Sequence, residues 1–244
     1  MLRHLYRLLC GGTLLIAATT AVAEHAWRVD QLARAPGADV GLALPGGAVL
    51  ARLSTARVRQ LYAAYGALAA AAETRAQFVI VLGKWPNAFA GLAGDNTPTV
   101  GINLAMLELL QDDLHAAAGV LGHELAHLKL HHAEDAARRG VTGSALGTIG
   151  ELVMGGLGIP GGALLSDLSV QAVDAAYSRD DEREADYLGT IWAVEAGFDP
   201  QGAVRLHEAL RRRTGGGGGD FLASHPSSPE RIATLKALAA RLSR

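Results

Sequence analysis

Residues 49–77, VLARLSTARVRQLYAAYGALAAAAETRAQ, are dense in alanine, and Leu61, Ala64, Leu68 and Ala72 recur at three-to-four spacing. That period predicts a helix. Residues 78–83, FVIVLG, form a continuous β-branched run closed by glycine and predict a strand. Residues 85–99 are turn-rich, and TVGIN, Thr99 to Asn103, is a second short strand. LAMLELL follows as a short helix. Asp112 suits the N-cap of a long helix running from Asp113 to about Arg139. A further helical pattern spans residues 169–197, with a break near Ser178 and a closing Gly197. QGAVRLHEALRRR is another helix after Asp199-Pro200, and Ser228-Pro229-Glu230 opens a last one, PERIATLKALAARL. Residues 24–47 show no clear period, and no segment repeats. Helix dominates over a few strands, which predicts an α+β fold with a small β-sheet.

Composition narrows the class. The chain has 244 residues, 19% charged, with a formal net charge of -2. It is long enough for a real core. Near neutrality gives no case for a nucleic-acid partner. MLRHLYR followed by a short apolar run and Ala21-Val22-Ala23 reads as a signal peptide over residues 1–23, leaving a single domain over 24–244. Cys10 is the sole cysteine and lies within that leader, so neither a disulfide nor a thiol nucleophile is expected in the mature chain. Export without cysteine fits a periplasmic protein. The glycine-rich segment 141–168 is too short in its uncharged interior to span a membrane, although it could touch an interface or cover a site. Its plainer reading is a buried apolar connection.

Candidate chemistry sits in LGHELAHLKLHH, Leu121 to His132. His123 and His127 are four apart and share a helix face, so both imidazoles can reach one metal ion, with Glu124 beside them as a general base. Glu124 falls among apolar neighbours, where a carboxylate is costly unless a site requires it. A third ligand must come from elsewhere. In SRDDEREAD, Glu182 and Asp186 are four apart: Glu182 could bind the metal and Asp186 could hold the second ring nitrogen of a histidine ligand. The same residues also fit a solvated charged face that includes Asp180, Asp181, Arg183 and Glu184. His131 could lie near the site face, whereas His132 lies off it. A favourable interaction with the helix dipole accounts for both.

Four stretches in order resemble the HtpX-like zinc metallopeptidases, gluzincins related to the prenyl-protein CaaX endopeptidases. They are Asn87-Ala88-Phe89-Ala90; His123-Glu124-Leu125-Ala126-His127; Ser178-Arg179 with Glu182 and Ala185-Asp186; and His225-Pro226-Ser227 with Arg231-Ile232. The resemblance implies a mostly helical zincin-like domain, its small sheet beside the active-site helix. It implies one Zn²⁺ per chain on His123, His127 and Glu182, making Glu182 rather than Glu184 the third ligand. Glu124 is then the base that activates water, with Asp186 and Arg179 supporting the site. For His225 three roles stand side by side: donor to an oxyanion, occupant of the open metal position in a latent form, or a histidine bonded at a helix start. Asn87 is expected to anchor the chain near the site, and TVGIN to offer an edge strand for an extended substrate. The resemblance points to the soluble, exported branch, acting on misfolded or unassembled envelope polypeptides. A chaperone-like binding module, its zinc closed by His225, is the alternative, and Glu124 argues against it because a four-ligand structural zinc needs no base. Oligomeric state is not legible in the sequence.

Overall fold

A computed structural model describes residues 26–43, 47–83, 85–93, 95–138, 177–214 and 220–243. The leader, the whole of the 141–168 region and Gly215 to Gly219 lie outside these residues, with the expectations placed on them. The described chain begins with β1 (Trp27–Arg28), α1 (Val29–Ala33), β2 (Asp39–Ala43) and β3 (Val49–Ser54). Next come α2 (Thr55–Ala71), β4 (Gln77–Val81), β5 (Ala88–Leu92) and β6 (Pro98–Asn103). The helices α3 (Leu104–Leu110), α4 (Leu114–Lys129), α5 (His132–Arg138), α6 (Arg179–Glu195), α7 (Gln201–Thr214), α8 (Asp220–Ser224) and α9 (Pro229–Leu242) follow. This is the α+β, mostly helical architecture with a small sheet that the sequence predicts.

Four strands form one sheet in the order β1-β4-β6-β5, and β2 pairs with β3 in a separate hairpin. β4 and β6 run parallel, while β5 is antiparallel to β6. TVGIN, expected at an edge, therefore lies inside the sheet as β6, buried from Thr99 to Asn103. Its Val and Ile suit a strand covered on both faces. The edge strand next to β6 is β5, drawn from the stretch that looks turn-rich in sequence. Pairing stabilises it: Phe89 lies opposite Gly101, and its ring fills the space a side chain at Gly101 would need. Residues 49–54, expected to be helical, instead pair with β2, and helix begins only at Thr55.

The helix carrying the histidines is the centre of the molecule. α4 packs on α6 and α7 and against α2, β5 and β6. Asp113, not Asp112, is its N-cap, accepting a 3.0 Å hydrogen bond from the Ala116 amide. The helix also stops earlier than its pattern predicts. It ends at Lys129; His131 has φ +58°, and the chain restarts as α5 at His132.

Glycines set the closest helix approach. A Cβ at Gly122 of α4 would lie 2.7 Å from the Gly189 carbonyl oxygen, and one at Gly189 of α6 would lie 2.6 Å from the Gly122 carbonyl carbon. The two backbones therefore touch where only hydrogen fits. Gly119 makes a similar approach to Ala203 of α7. α6 opens with a capping box. The Ser178 hydroxyl accepts from the Asp181 amide, and the Asp181 carboxylate accepts from the Ser178 amide. α9 begins as predicted, with Ser228 as N-cap and Pro229 at its first position.

Candidate metal centre

The Gly122–Gly189 contact brings the two ligand-bearing helices face to face one residue from His123. His123 and His127 project from α4 and Glu182 from the first turn of α6. His225 arrives from the loop between α8 and α9. All four are buried, and one ligand atom from each lies within 4.8 Å of the others. Their nitrogen and oxygen atoms converge: His123 Nε2 is 3.0 Å from His127 Nε2 and 3.1 Å from His225 Nδ1. Glu182 Oε1 is 3.3 Å from His127 Nε2 and 2.9 Å from His225 Nδ1. Imidazole nitrogen and carboxylate oxygen are the ligand types of zinc.

Glu124 stands beside this cluster. Both its carboxylate oxygens are buried without a hydrogen-bond partner among the described residues, and His225 Nε2 is 3.4 Å from Oε1. A buried carboxylate in that state is costly in an apolar fold. It becomes sensible next to a metal and a water held in the site. The donor set and the orphaned base thus both fit a zinc centre.

Electrostatics follow from burial and from the pairing of charges. Desolvation pushes His123 down to about 4, against the pull of Glu182 and Asp186. Desolvation and the neighbouring His123 carry His127 well below the usual imidazole range. Both effects favour the unprotonated rings that metal binding requires. Desolvation lifts Glu124 to about 7, only partly opposed by His225. Burial also works against ionisation of Glu182, yet His225 and His123 hold its carboxyl well below the ordinary value. For His225, burial is outweighed by Glu182 and Glu124, and its pKa rises.

Asp186 sits where the spacing places it. Its Oδ1 is 3.0 Å from His123 Nδ1, the ring nitrogen turned away from the cluster. Among the described residues no hydrogen bond or ion pair links Arg179 to Asp186 or Glu182. As the first residue of α6 it is exposed and lines a cavity of about 230 Å³ together with Glu182 and Tyr177. The place expected for Arg179 is filled from α9 by Arg231, which is buried and donates to Asp186 through Nε (2.5 Å) and Nη2 (2.8 Å). Its Nη1 also pairs with Glu182. One guanidinium thereby holds the third candidate ligand and the carboxylate behind the first. Sequence reasoning missed this role; the only signal was Arg231 within the stretch after His225 and two facing carboxylates that needed a cation.

Aromatic rings close the site. Tyr177 stacks on His127 at 3.8 Å between centroids, and Phe221 stacks on His225 at 4.5 Å. Asn87 is held at the strand end: its amide donates to Asn103 Oδ1 and its carbonyl accepts from the Asn103 amide, while its own Oδ1 is buried without a partner among the described residues. A cavity of about 550 Å³ borders His127 and Tyr177 and runs along Ala90, Gly91 and Leu92 of β5.

A histidine-glutamate helix facing a glutamate helix at this spacing defines a gluzincin-type metallopeptidase site. The chain belongs to peptidase family M48, whose family profile matches residues 52–239. It is similar to the mitochondrial metalloendopeptidase OMA1 of Arabidopsis thaliana, with 32% identity over 149 residues, which are 61% of this chain and 28% of the relative. It is similar to the metalloprotease YcaL of Escherichia coli K12, with 32% identity over 146 residues, 56% of this chain and 53% of the relative. It is also 31% identical over 156 residues to the OMA1 metalloendopeptidase of Saccharomyces cerevisiae, 62% of this chain and 42% of the relative. The chain thus spans about half or less of the length of these relatives.

Proposed function

We propose that the chain is a zinc-dependent endopeptidase that hydrolyses peptide bonds in misfolded or unassembled cell-envelope proteins, exported to the periplasm by residues 1–23. The observation that carries the catalytic part is Glu124: a buried carboxylate with no hydrogen-bond partner among the described residues, beside four converging metal donors. A zinc ion held by His123, His127 and Glu182 would supply a Lewis acid that acidifies a water and polarises the scissile carbonyl. Glu124 accepts the proton of that water and returns it to the leaving nitrogen. A proton affinity near neutrality suits both directions of that transfer. Asp186 and Arg231 hold His123 and Glu182 in place. β5 is an edge strand, and its Ala90, Gly91 and Leu92 line the cavity beside His127, so an extended polypeptide can pair there with its backbone aligned toward His127. Envelope substrates and export rest on the resemblance and on the leader-like N-terminus. Among the described residues no helix is long and apolar enough to cross a membrane, and peripheral membrane contact through 141–168 remains part of the proposal.

The test compares zinc-loaded wild type with Glu124→Gln on an unfolded polypeptide. Equal zinc content and a loss of cleavage of about 10²–10⁴-fold is expected. Equal cleavage by both would reject Glu124 as the base.

A second reading has its own observation. His225 Nδ1 lies within the donor cluster, 2.9 Å from Glu182 and 3.1 Å from His123. In that geometry His225 is a fourth ligand closing the site, and the resting protein is a latent protease or a binding module. His225→Ala separates the readings. A gain of cleavage supports latency, a loss supports a donor to the oxyanion, and silence of both forms supports the binding module.

A further inference from the structure

Each of two imidazoles in the cluster needs its second ring nitrogen held. Asp186 does this for His123. The structure assigns the same task at His127 to His132, a positioning residue that acts through a hydrogen bond; the inference rests on the zinc-site reading above. His132 is buried, and its Nδ1 lies 2.9 Å from His127 Nδ1. His127 presents Nε2 to the cluster, 3.0 Å from His123 Nε2 and 3.3 Å from Glu182 Oε1. A metal-binding Nε2 needs its lone pair, so the ring hydrogen of His127 is on Nδ1. His127 therefore donates, and His132 Nδ1 accepts. The hydrogen of His132 is then on Nε2, which faces Glu184 Oε2 at 3.6 Å. One hydrogen bond with a fixed direction thus joins α4 to α5, and the Glu184 carboxylate of α6 lies beyond hydrogen-bond distance from the far nitrogen of His132.

The backbone explains how a residue five positions beyond His127 comes to serve it. On a continuous helix His132 would be rotated by about 140° from His127 and could not meet it. The left-handed residue His131 breaks the helix and turns α5 back, so that His132 points at the far side of the His127 ring. A fourth-ligand role for His132 is excluded by the same geometry, because its nitrogen meets the side of His127 that faces away from the cluster. A packing role alone leaves the nitrogen-to-nitrogen contact without explanation.

The experiment measures zinc affinity of the full chain by competition with a chromophoric chelator, alongside thermal unfolding of the metal-free protein. Wild type should bind one zinc and His123→Ala should not; failure of that first comparison sinks the metal site itself rather than the role of His132. His132→Phe fills the volume without offering an acceptor, and it should weaken zinc binding by about 10–100-fold. His132→Asn places an amide oxygen near the lost nitrogen and should recover most of that loss. Wild-type affinity in His132→Phe, or an Asn variant as weak as the Phe variant, would overturn the assignment. A nitrogen NMR spectrum of the zinc-loaded wild type gives an independent reading that does not depend on any variant folding: His132 should carry its hydrogen on Nε2. A hydrogen on Nδ1 would refute the proposal.

Discussion

Two arginine forks grip α4 and its partners, one near water and one buried. Near the start of α4, Arg205 of α7 donates to Asp113 through Nε (2.6 Å) and Nη2 (3.1 Å) and to Asp199 through Nη1 (2.8 Å). Beside the donor cluster, Arg231 of α9 bridges Asp186 and Glu182 in the same manner. The parts are alike: one guanidinium, two carboxylates, helices distant in sequence. The surroundings differ, with side-chain exposures of 38% for Arg205 and 30% for Asp113 against 5% for Arg231 and 9% for Asp186. In water the surface fork is screened and contributes little beyond orienting the start of α4. In the interior the fork neutralises two carboxylates that burial would otherwise force to take up protons. Instead Asp186, despite burial, is held well below the usual carboxylate range by Arg231. The same bonding pattern thus fastens a helix at one end and fixes the protonation state of a site at the other.

Removing the cation tests this contrast most severely. Arg231→Met should cost about 3–5 kcal/mol of stability, because two buried carboxylates lose their partner. Denaturant unfolding of the metal-free chain measures it. Arg231→Lys should recover little of that loss, since a single ammonium cannot span both carboxylates. The next effect is on the metal. Asp186→Asn, which weakens the hold on His123 Nδ1, should reduce zinc affinity by about 10–100-fold in chelator competition. Arg205→Ala should leave zinc affinity unchanged and cost only about 0–1 kcal/mol. Its effect should vanish near 1 M salt, whereas that of Arg231→Met persists.

Acid supplies a smaller, signed difference. Asp186 and Glu182 both have folded pKa values below their ordinary ones, so their contribution is present above the unfolded value and is lost as pH falls through the folded one. The part of the metal-free chain's stability that these two carboxylates contribute should therefore be lost below about pH 4. In Arg231→Met that decline should flatten. An identical slope in both proteins would show that the buried fork does not set the Asp186 carboxyl.

What the sequence reveals is whatever depends on local spacing. The structure brings His123, Glu124 and His127 together where the helix period puts them, whereas spacing in α6 alone leaves Glu182 and Asp186 open to a solvated charged face, and only the family resemblance singles out Glu182 over Glu184. The Ser178 and Ser228 caps mark helix starts through side-chain chemistry that needs no tertiary partner. The misreadings share the opposite property. Residues 49–54 have helix-forming composition, and only pairing with β2 makes them a strand. β5 is hidden by neighbouring Asn, Gly and Pro and exists because Phe89 covers Gly101. TVGIN is recognisably a strand, yet its place inside the sheet is a matter of topology. The resemblance points to Arg179, three residues before Glu182, whereas Arg231 reaches the site from 45 positions beyond Asp186. The helical period puts His132 off the active face because it assumes an unbroken helix, and the turn at His131 removes that assumption.

The meeting of Gly122 with Gly189 has a consequence for how the cage can vary. Its width is gauged by main chain lying on main chain, with no rotamer at the seam to take up slack. Sequence drift in the surrounding core can alter volumes without changing the span from His123 to Glu182. Even one methyl group at that seam would spread the metal ligands apart, so the most inconspicuous side chains in the protein act as its calliper.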